Sequence, residues 1–162
     1  MFEIAIHVSE ILNVDEIRDS AINFETTESM IMSICSVLDE LDCCSFNVCG
    51  FGDTQWPVDV CTDMSVFLEQ LNPALKAIYN ADDFELDFYE QGIERRVSFS
   101  FDSGCYHICC VSGTNWEPLS ESDMDIEAIK SQLVKVKAVF VALSQQVFPV
   151  LSQHSLFARW NN

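Results

Sequence analysis

The sequence predicts an α+β fold in which an antiparallel sheet of about six strands packs helices on one face, in the order βαββαβββα. Three observations predict it. Hydrophobic types make up 49% of the 162 residues against 21% charged, with twelve Phe and three Trp, which is enough apolar surface for one packed core. Several short segments alternate apolar and polar residues and are separated by tight-turn pairs. Longer segments repeat their apolar residues at helical spacing. No Pro/Gly/Ser-rich linker, internal repeat or low-complexity run divides the chain, so residues 1–162 read as a single domain.

Phe2, Ile4, Ile6 and Val8 alternate with Glu3, Ala5 and His7, the pattern of a half-buried strand. Residues 14–22 (VDEIRDSAI) fit a short helix capped by Asn13. From Thr27 onward Met30, Ile31, Ile34, Val37, Leu38 and Leu41 form one helical stripe, with Thr26 or Thr27 as N-cap and Glu28 in the first turn. Residues 44–51 and 55–61 read as a hairpin around Gly52-Asp53, with Pro57 placing the second strand at an edge or a bulge. Asp63 caps a segment with Phe67, Leu68 and Leu71 on one face; Asn72-Pro73 interrupts it, and Leu75, Ile78 and Tyr79 resume the stripe in a restarted helix. Residues 83–90, 94–102 and 105–111 form a meander across Gln91-Gly92-Ile93 and Ser103-Gly104. Ser120 or Ser122, followed by Asp123, Asp125 and Glu127, opens a long amphipathic helix that runs to about Val147 and stops near Pro149.

Charge narrows the function classes. Twenty-six acidic residues against eight Lys and Arg give −18, the opposite of the basic stripe that releases counterions from nucleic acid, so direct nucleic-acid binding is not expected. Docking on an anionic membrane surface is disfavoured for the same reason. The imbalance is uneven. All the acids fall at or before Glu127, where the only cations are Arg18, Lys76, Arg95 and Arg96, a net −22; residues 128–162 carry Lys130, Lys135, Lys137 and Arg159 and no acid, a net +4. The acidic part reads as an interaction surface and the C-terminal part as a helix that packs on the body and partly neutralises it. The N-terminus, MFEIAIHVSE, has neither the positive region nor the apolar stretch of a secretory signal, and no segment is long enough to cross a bilayer, so a cytoplasmic protein is expected. There the eight Cys are expected to stay reduced and to act as small hydrophobes.

If the helices cover the face formed by Phe84, Leu86, Phe88, Val97, Phe99 and Phe101, the pleat sends Asp83, Glu85, Asp87 and Tyr89 to the other side with Ser98 and Ser100, where Asp59 and Asn47 join them. The partner-binding candidates are therefore Asp53, Asp59, Asp63, Asp82, Asp83, Glu85, Asp87, Tyr89, Glu90 and Glu94. Such a cluster would focus a negative potential and steer a basic partner; its bland alternative is a solvated surface that only confers solubility. Trp56, Trp116 and Tyr106 lie close in sequence as further anchors, unless they are core aromatics.

Metal and enzyme signals are thin. The cysteine pairs Cys43-Cys44 and Cys109-Cys110 are adjacent and no CxxC occurs, so no metal and no cofactor are expected. His107 lies two residues from both Cys105 and Cys109 and shares a strand face with them, an arrangement more typical of a half-buried strand than of a nucleophile pair. Neither Asp82-Asp83 nor residues 122–125 match a calcium loop, and no GxxxxGK[ST], GxGxxG, GxSxG or HExxH is present, so catalysis is not expected.

Residues 51–101, FGDTQWPVDVCTDMSVFLEQLNPALKAIYNADDFELDFYEQGIERRVSFSF, place a Trp-bearing strand, an Asp-capped helix and an acidic hairpin in succession. With the overall acidity, this segment resembles the bacterial immunity proteins of contact-dependent growth inhibition and other polymorphic toxin systems. The resemblance covers about a third of the chain and transfers no invariant residue. It implies a stoichiometric inhibitor whose acidic side chains face a basic toxin domain, commonly a nuclease, blocking its active site or substrate cleft. A nucleic-acid mimic acting on a host enzyme, or a small cytosolic enzyme, are the alternatives.

Overall fold

Residues 1–9, 22–119 and 121–162 are described by the structure, a computed structural model. They form β1 (Glu3–Val8), α1 (Thr27–Glu40), β2 (Cys44–Cys49), α2 (Asp63–Asn80), β3 (Phe84–Phe88), β4 (Arg95–Asp102), β5 (Cys105–Ser112), β6 (Ser122–Asp125), α3 (Ile126–Val147), a 3-10 turn (Pro149–Gln153) and α4 (Ser155–Asn161). The α+β class holds, but the strands divide into two antiparallel sheets, β1-β2 and β3-β4-β5-β6, instead of one sheet of six. The helix expected at residues 14–22 and the candidate cap Ser120 lie outside the described residues, Ile22 aside.

The division has a local cause. β2 pairs with β1, Ile4 opposite Val48 and Ile6 opposite Phe46. On its other edge β2 meets only a tight turn, in which Gly50 and Asp53 form an isolated bridge and the Trp56 amide donates to the Val48 carbonyl at 2.8 Å. Pro57, which has no N–H, follows at once, so residues 55–61 do not form the strand expected of them. The missing strand is replaced at the far end of the other sheet by β6. Met124 of β6 is buried opposite Tyr106, whereas Asp123 and Asp125 point outward. Asp125 then caps α3, accepting from the Glu127 amide at 2.8 Å, so that helix starts four residues beyond Ser122.

Helix α1 begins as its cap residues dictate. Thr26 Oγ1 accepts from the Ser29 amide (3.1 Å) and Ser29 Oγ from the Thr26 amide (3.0 Å), a reciprocal capping box. Pro73 does not split α2, which is continuous from Asp63 to Asn80. Pro73 is exposed, so the carbonyl it leaves without an N–H partner falls on the solvent side. The chain ends in α4, an element with no counterpart in the expected order; the Asn72 side chain in α2 donates to the Trp160 carbonyl at 2.7 Å and fastens it.

One aromatic core joins the layers. Phe2 lies 5.8 Å from Phe99 and 6.2 Å from Trp56, linking the start of β1 to the four-stranded sheet. Phe67 of α2 meets Phe46 of β2 at 5.6 Å and Phe88 of β3 at 6.4 Å, so α2 bridges both sheets. The free edge of β1 is covered by α3: Gln132 accepts from the Ile4 amide (3.1 Å) and donates to the Phe2 carbonyl (3.4 Å). Leu86, Phe88, Val97 and Phe99 are buried as expected, and Phe84 and Phe101 are half-buried at the margin.

Candidate functional site

With helices on one side of β3–β6, the pleat leaves a polar outer face on the other. Register sets its rows. Glu85 lies opposite Ser98 and Ser98 opposite Cys109; Asp87 opposite Arg96 and Arg96 opposite Val111; Ser100 opposite His107 and His107 opposite Asp123. Asp125 ends the row that begins at Asp102 and passes through Cys105. Arg96 is the only Lys or Arg of these strands that is exposed, because its neighbour Arg95 points into the core.

Four of the ten sequence-derived candidates meet in one place. Glu85, Asp87, Tyr89 and Glu94, with Arg96 and Val111, line a shallow groove of about 460 Å³. Arg96 Nη2 contacts Asp87 Oδ2 at 3.2 Å and Arg96 Nε lies 3.9 Å from Glu85 Oε2, so one guanidinium holds both carboxylates in place; Ser98 donates to Glu85 Oε1 at 3.0 Å. Tyr89 (56% exposed) and Val111 (64%) supply the apolar surface. Burial raises the Tyr89 hydroxyl above its ordinary value, with Glu69, Glu90 and Asp87 adding to it, so the phenol stays a neutral donor.

The other six candidates lie outside this groove and make contacts within the fold, although Asp59, Asp82 and Asp83 stay exposed. Asp53 Oδ2 pairs with the buried Arg95 Nη1 at 3.1 Å. Asp59 Oδ1 accepts from the Thr62 and Asp63 amides while Asp63 Oδ2 accepts from the Asp59 amide at 2.9 Å, a mutual clasp at the start of α2. Asp63 is 4% exposed, with Oδ1 unpartnered; burial raises its pKa, and the Asp59 and Glu90 charges push the same way against the Asp59 amide bond. Asp82 contributes its carbonyl to the Tyr106 hydroxyl (2.9 Å), Asp83 Oδ1 accepts from the Phe101 amide (2.7 Å), and the Glu90 carbonyl closes the β3–β4 turn. Asn47 sits on β2 in the other sheet and does not join the acidic face, and neither does Asp59.

The aromatic anchors also divide. Trp56 and Tyr106 are buried in the core, and half-buried Trp116 stacks on Arg95, whose guanidinium carbon lies 3.6 Å from the Trp116 ring centre and 4.5 Å from that of Trp56. The C-terminal cations Lys130, Lys135, Lys137 and Arg159 make no ion pair with the sheet face among the described residues. Among the described residues only Lys130 of the four forms an ion pair, with Glu127 in its own helix; Lys137 lies over Trp160.

Sequence reasoning missed the second half of the face. Asp123 and Asp125, read as a helix N-terminus, and Glu121, not singled out, extend the carboxylates across and beside β6, and His107 sits between two of them: Nδ1 is 2.8 Å from Asp123 Oδ1 and Nε2 is 3.1 Å from Glu121 Oε2. The Asp123 hydrogen bond is the chief cause that raises the His107 pKa, with Glu121 adding to it. The only signal was the alternation of residues 122–125 around a single apolar residue, Met124.

All eight cysteines are free. Burial pushes Cys44 up to about 12 and Cys110 up to about 11, so these thiols stay protonated and pack as hydrophobes. No described helix is long and apolar enough to cross a membrane. No protein-family model, curated protein or solved structure matches the chain.

Proposed function

We propose that this chain is an immunity-type inhibitor that binds a basic protein toxin domain, a nuclease in the first instance, one to one in the cytoplasm and blocks its active site or substrate cleft. It acts as a binding protein and not as an enzyme. The observation that carries this reading is the outer sheet face: an apolar pair, Tyr89 and Val111, walled by Glu85, Asp87 and Glu94 and continued by Glu121, Asp123 and Asp125. Carboxylates in fixed positions occupy a basic cleft where phosphates would sit, and speed the encounter. The exposed ring then slows dissociation by burying apolar area at the centre of the contact.

The test uses the full chain as bait in cells of its source organism at low ionic strength, with the double variant Glu85→Lys/Asp87→Lys as control. The reading expects a stoichiometric basic polypeptide on the wild type that is depleted on the variant, is toxic when expressed alone, is tolerated when co-expressed with this chain, and loses nuclease activity to one equivalent of it. Equal capture by the variant removes the face from the interface. Failure of co-expression to protect removes the inhibitory function, and capture of a host restriction enzyme instead transfers the reading to nucleic-acid mimicry.

A further inference from the structure

We infer that His107, Cys109 and Glu121 form a binding site for one divalent metal ion of borderline softness, of the Zn2+ class, with Asp123 orienting the histidine. The inference does not rest on the toxin-binding reading. It rests on four side chains that the β5–β6 pairing gathers on one face. His107 and Cys109 stand two residues apart on β5 and therefore point the same way. Opposite them, Asp123 pairs with His107, and Glu121 immediately precedes Ser122, the partner of Ile108, so the register carries it beside Cys109.

The donor atoms of His107, Cys109 and Glu121 all lie within 4.8 Å of one another. A tetrahedral ion with bonds of about 2.0–2.3 Å sets its donors roughly 3.3–3.8 Å apart. The contraction needed is about 1 Å, within the reach of side chains on a surface where His107 is 48% and Glu121 68% exposed. Imidazole nitrogen, thiolate sulfur and one carboxylate oxygen make a set that suits zinc and disfavours magnesium or calcium, which take oxygen alone.

Asp123 supplies what a histidine ligand needs from behind. Asp123 Oδ1 at 2.8 Å accepts the Nδ1 proton and fixes the ring, so that Nε2, which faces Glu121 Oε2 at 3.1 Å, is the nitrogen that gives up its proton and turns its lone pair to the ion. Binding exchanges protons for the ion: M2+ takes the place of any proton on Nε2 and of the Cys109 thiol proton, both passing to solvent. Three protein donors leave one tetrahedral position facing solvent for a water molecule.

The test titrates the purified full chain with Co2+, read by thiolate-to-cobalt charge-transfer absorption, and with Zn2+ by calorimetry. One equivalent of Co2+ is expected to bind with the charge-transfer band. Cys109→Ser is expected to abolish the band, and His107→Ala and Glu121→Gln to weaken binding at least tenfold. Asp123→Asn is expected to weaken Zn2+ about 10- to 100-fold yet retain the band once loaded, as a positioning residue should. Thermal unfolding of the metal-free variants should match the wild type, which separates ligand loss from misfolding. Glu85→Gln/Asp87→Asn, on the same face, should leave binding unchanged. A missing band at stoichiometric Co2+, a band that survives Cys109→Ser, or an equal loss in the Glu85/Asp87 control each overturns the site.

Discussion

The Arg95 guanidinium lies over the Trp116 ring, its carbon 3.6 Å from the ring centre, and this stack holds the segment after β5 over the start of β4. Arg95 is 4% exposed, and among the described residues its one charged partner is Asp53. Removing one member of a buried pair leaves an uncompensated charge. Arg95→Ala is therefore expected to lower unfolding free energy by about 3–5 kcal/mol. Asp53→Asn keeps an oxygen within reach of the guanidinium and leaves the Trp56–Arg95–Trp116 stack in place, and should cost less, about 1–2 kcal/mol. Arg95→Lys should not rescue, because an ammonium cannot stack between Trp56 and Trp116 while reaching Asp53. Urea denaturation checks all three, and an Arg95→Ala loss within the error of the Asp53→Asn loss would refute the arrangement.

Asp63 sets a pH dependence. Its folded-state pKa is raised by burial, so it contributes stability that is fully present below the unfolded value of about 3.9 and is lost as pH rises through the folded value. Asp63→Asn keeps an oxygen for the Asp59 amide and carries no buried charge. The variant should melt higher than the wild type at neutral pH, and the gap should close as pH falls toward about 4. A gap that is constant with pH would show that the carboxyl is not penalised.

Gly52 is required by geometry. It has φ +90°, and a Cβ there would come within 2.5 Å of the Leu119 side chain, which lies close because the Leu119 amide donates to the Phe51 carbonyl at 2.9 Å. Gly52→Ala adds backbone strain to that clash and should cost about 1–3 kcal/mol in chemical denaturation.

Under the proposed function, association with a basic partner should weaken steeply with salt, mostly through a slower on-rate, because the carboxylates of the sheet face act at a distance. Tyr89→Ala should act on the off-rate instead and cost about 2 kcal/mol of affinity with unchanged salt dependence, measured by surface kinetics. A Tyr89 effect confined to the on-rate would place the ring outside the contact.

Thr26→Ala removes the capping box of α1 and should cost about 1 kcal/mol by thermal or urea unfolding. The sequence narrowed this cap to Thr26 or Thr27, since the hydroxyl and the amide it caps are only three positions apart, and the structure selects Thr26. Pro73 was misread for the complementary reason. Whether a proline ends a helix depends on which side its orphaned carbonyl faces, and packing of Leu71, Ala74 and Leu75 turns that side to solvent.

Sequence by itself determined the α+β class, strand β1, helix α1, the meander from β3 to β5 and the facing of Glu85, Asp87 and Tyr89 away from Leu86 and Phe88. Each depends on period-2 or period-3.6 alternation or on a cap a few residues away, and such short-range patterns are written in the chain. Only tertiary structure decided that the strands form two sheets, that Ser122–Asp125 is a strand, and that Asp53 pairs with the buried Arg95. It also brought Glu121 and Asp123 to His107. These outcomes turn on which edge a strand pairs with and which buried cation a carboxylate meets, choices made between residues more than ten positions apart for which no local pattern is available.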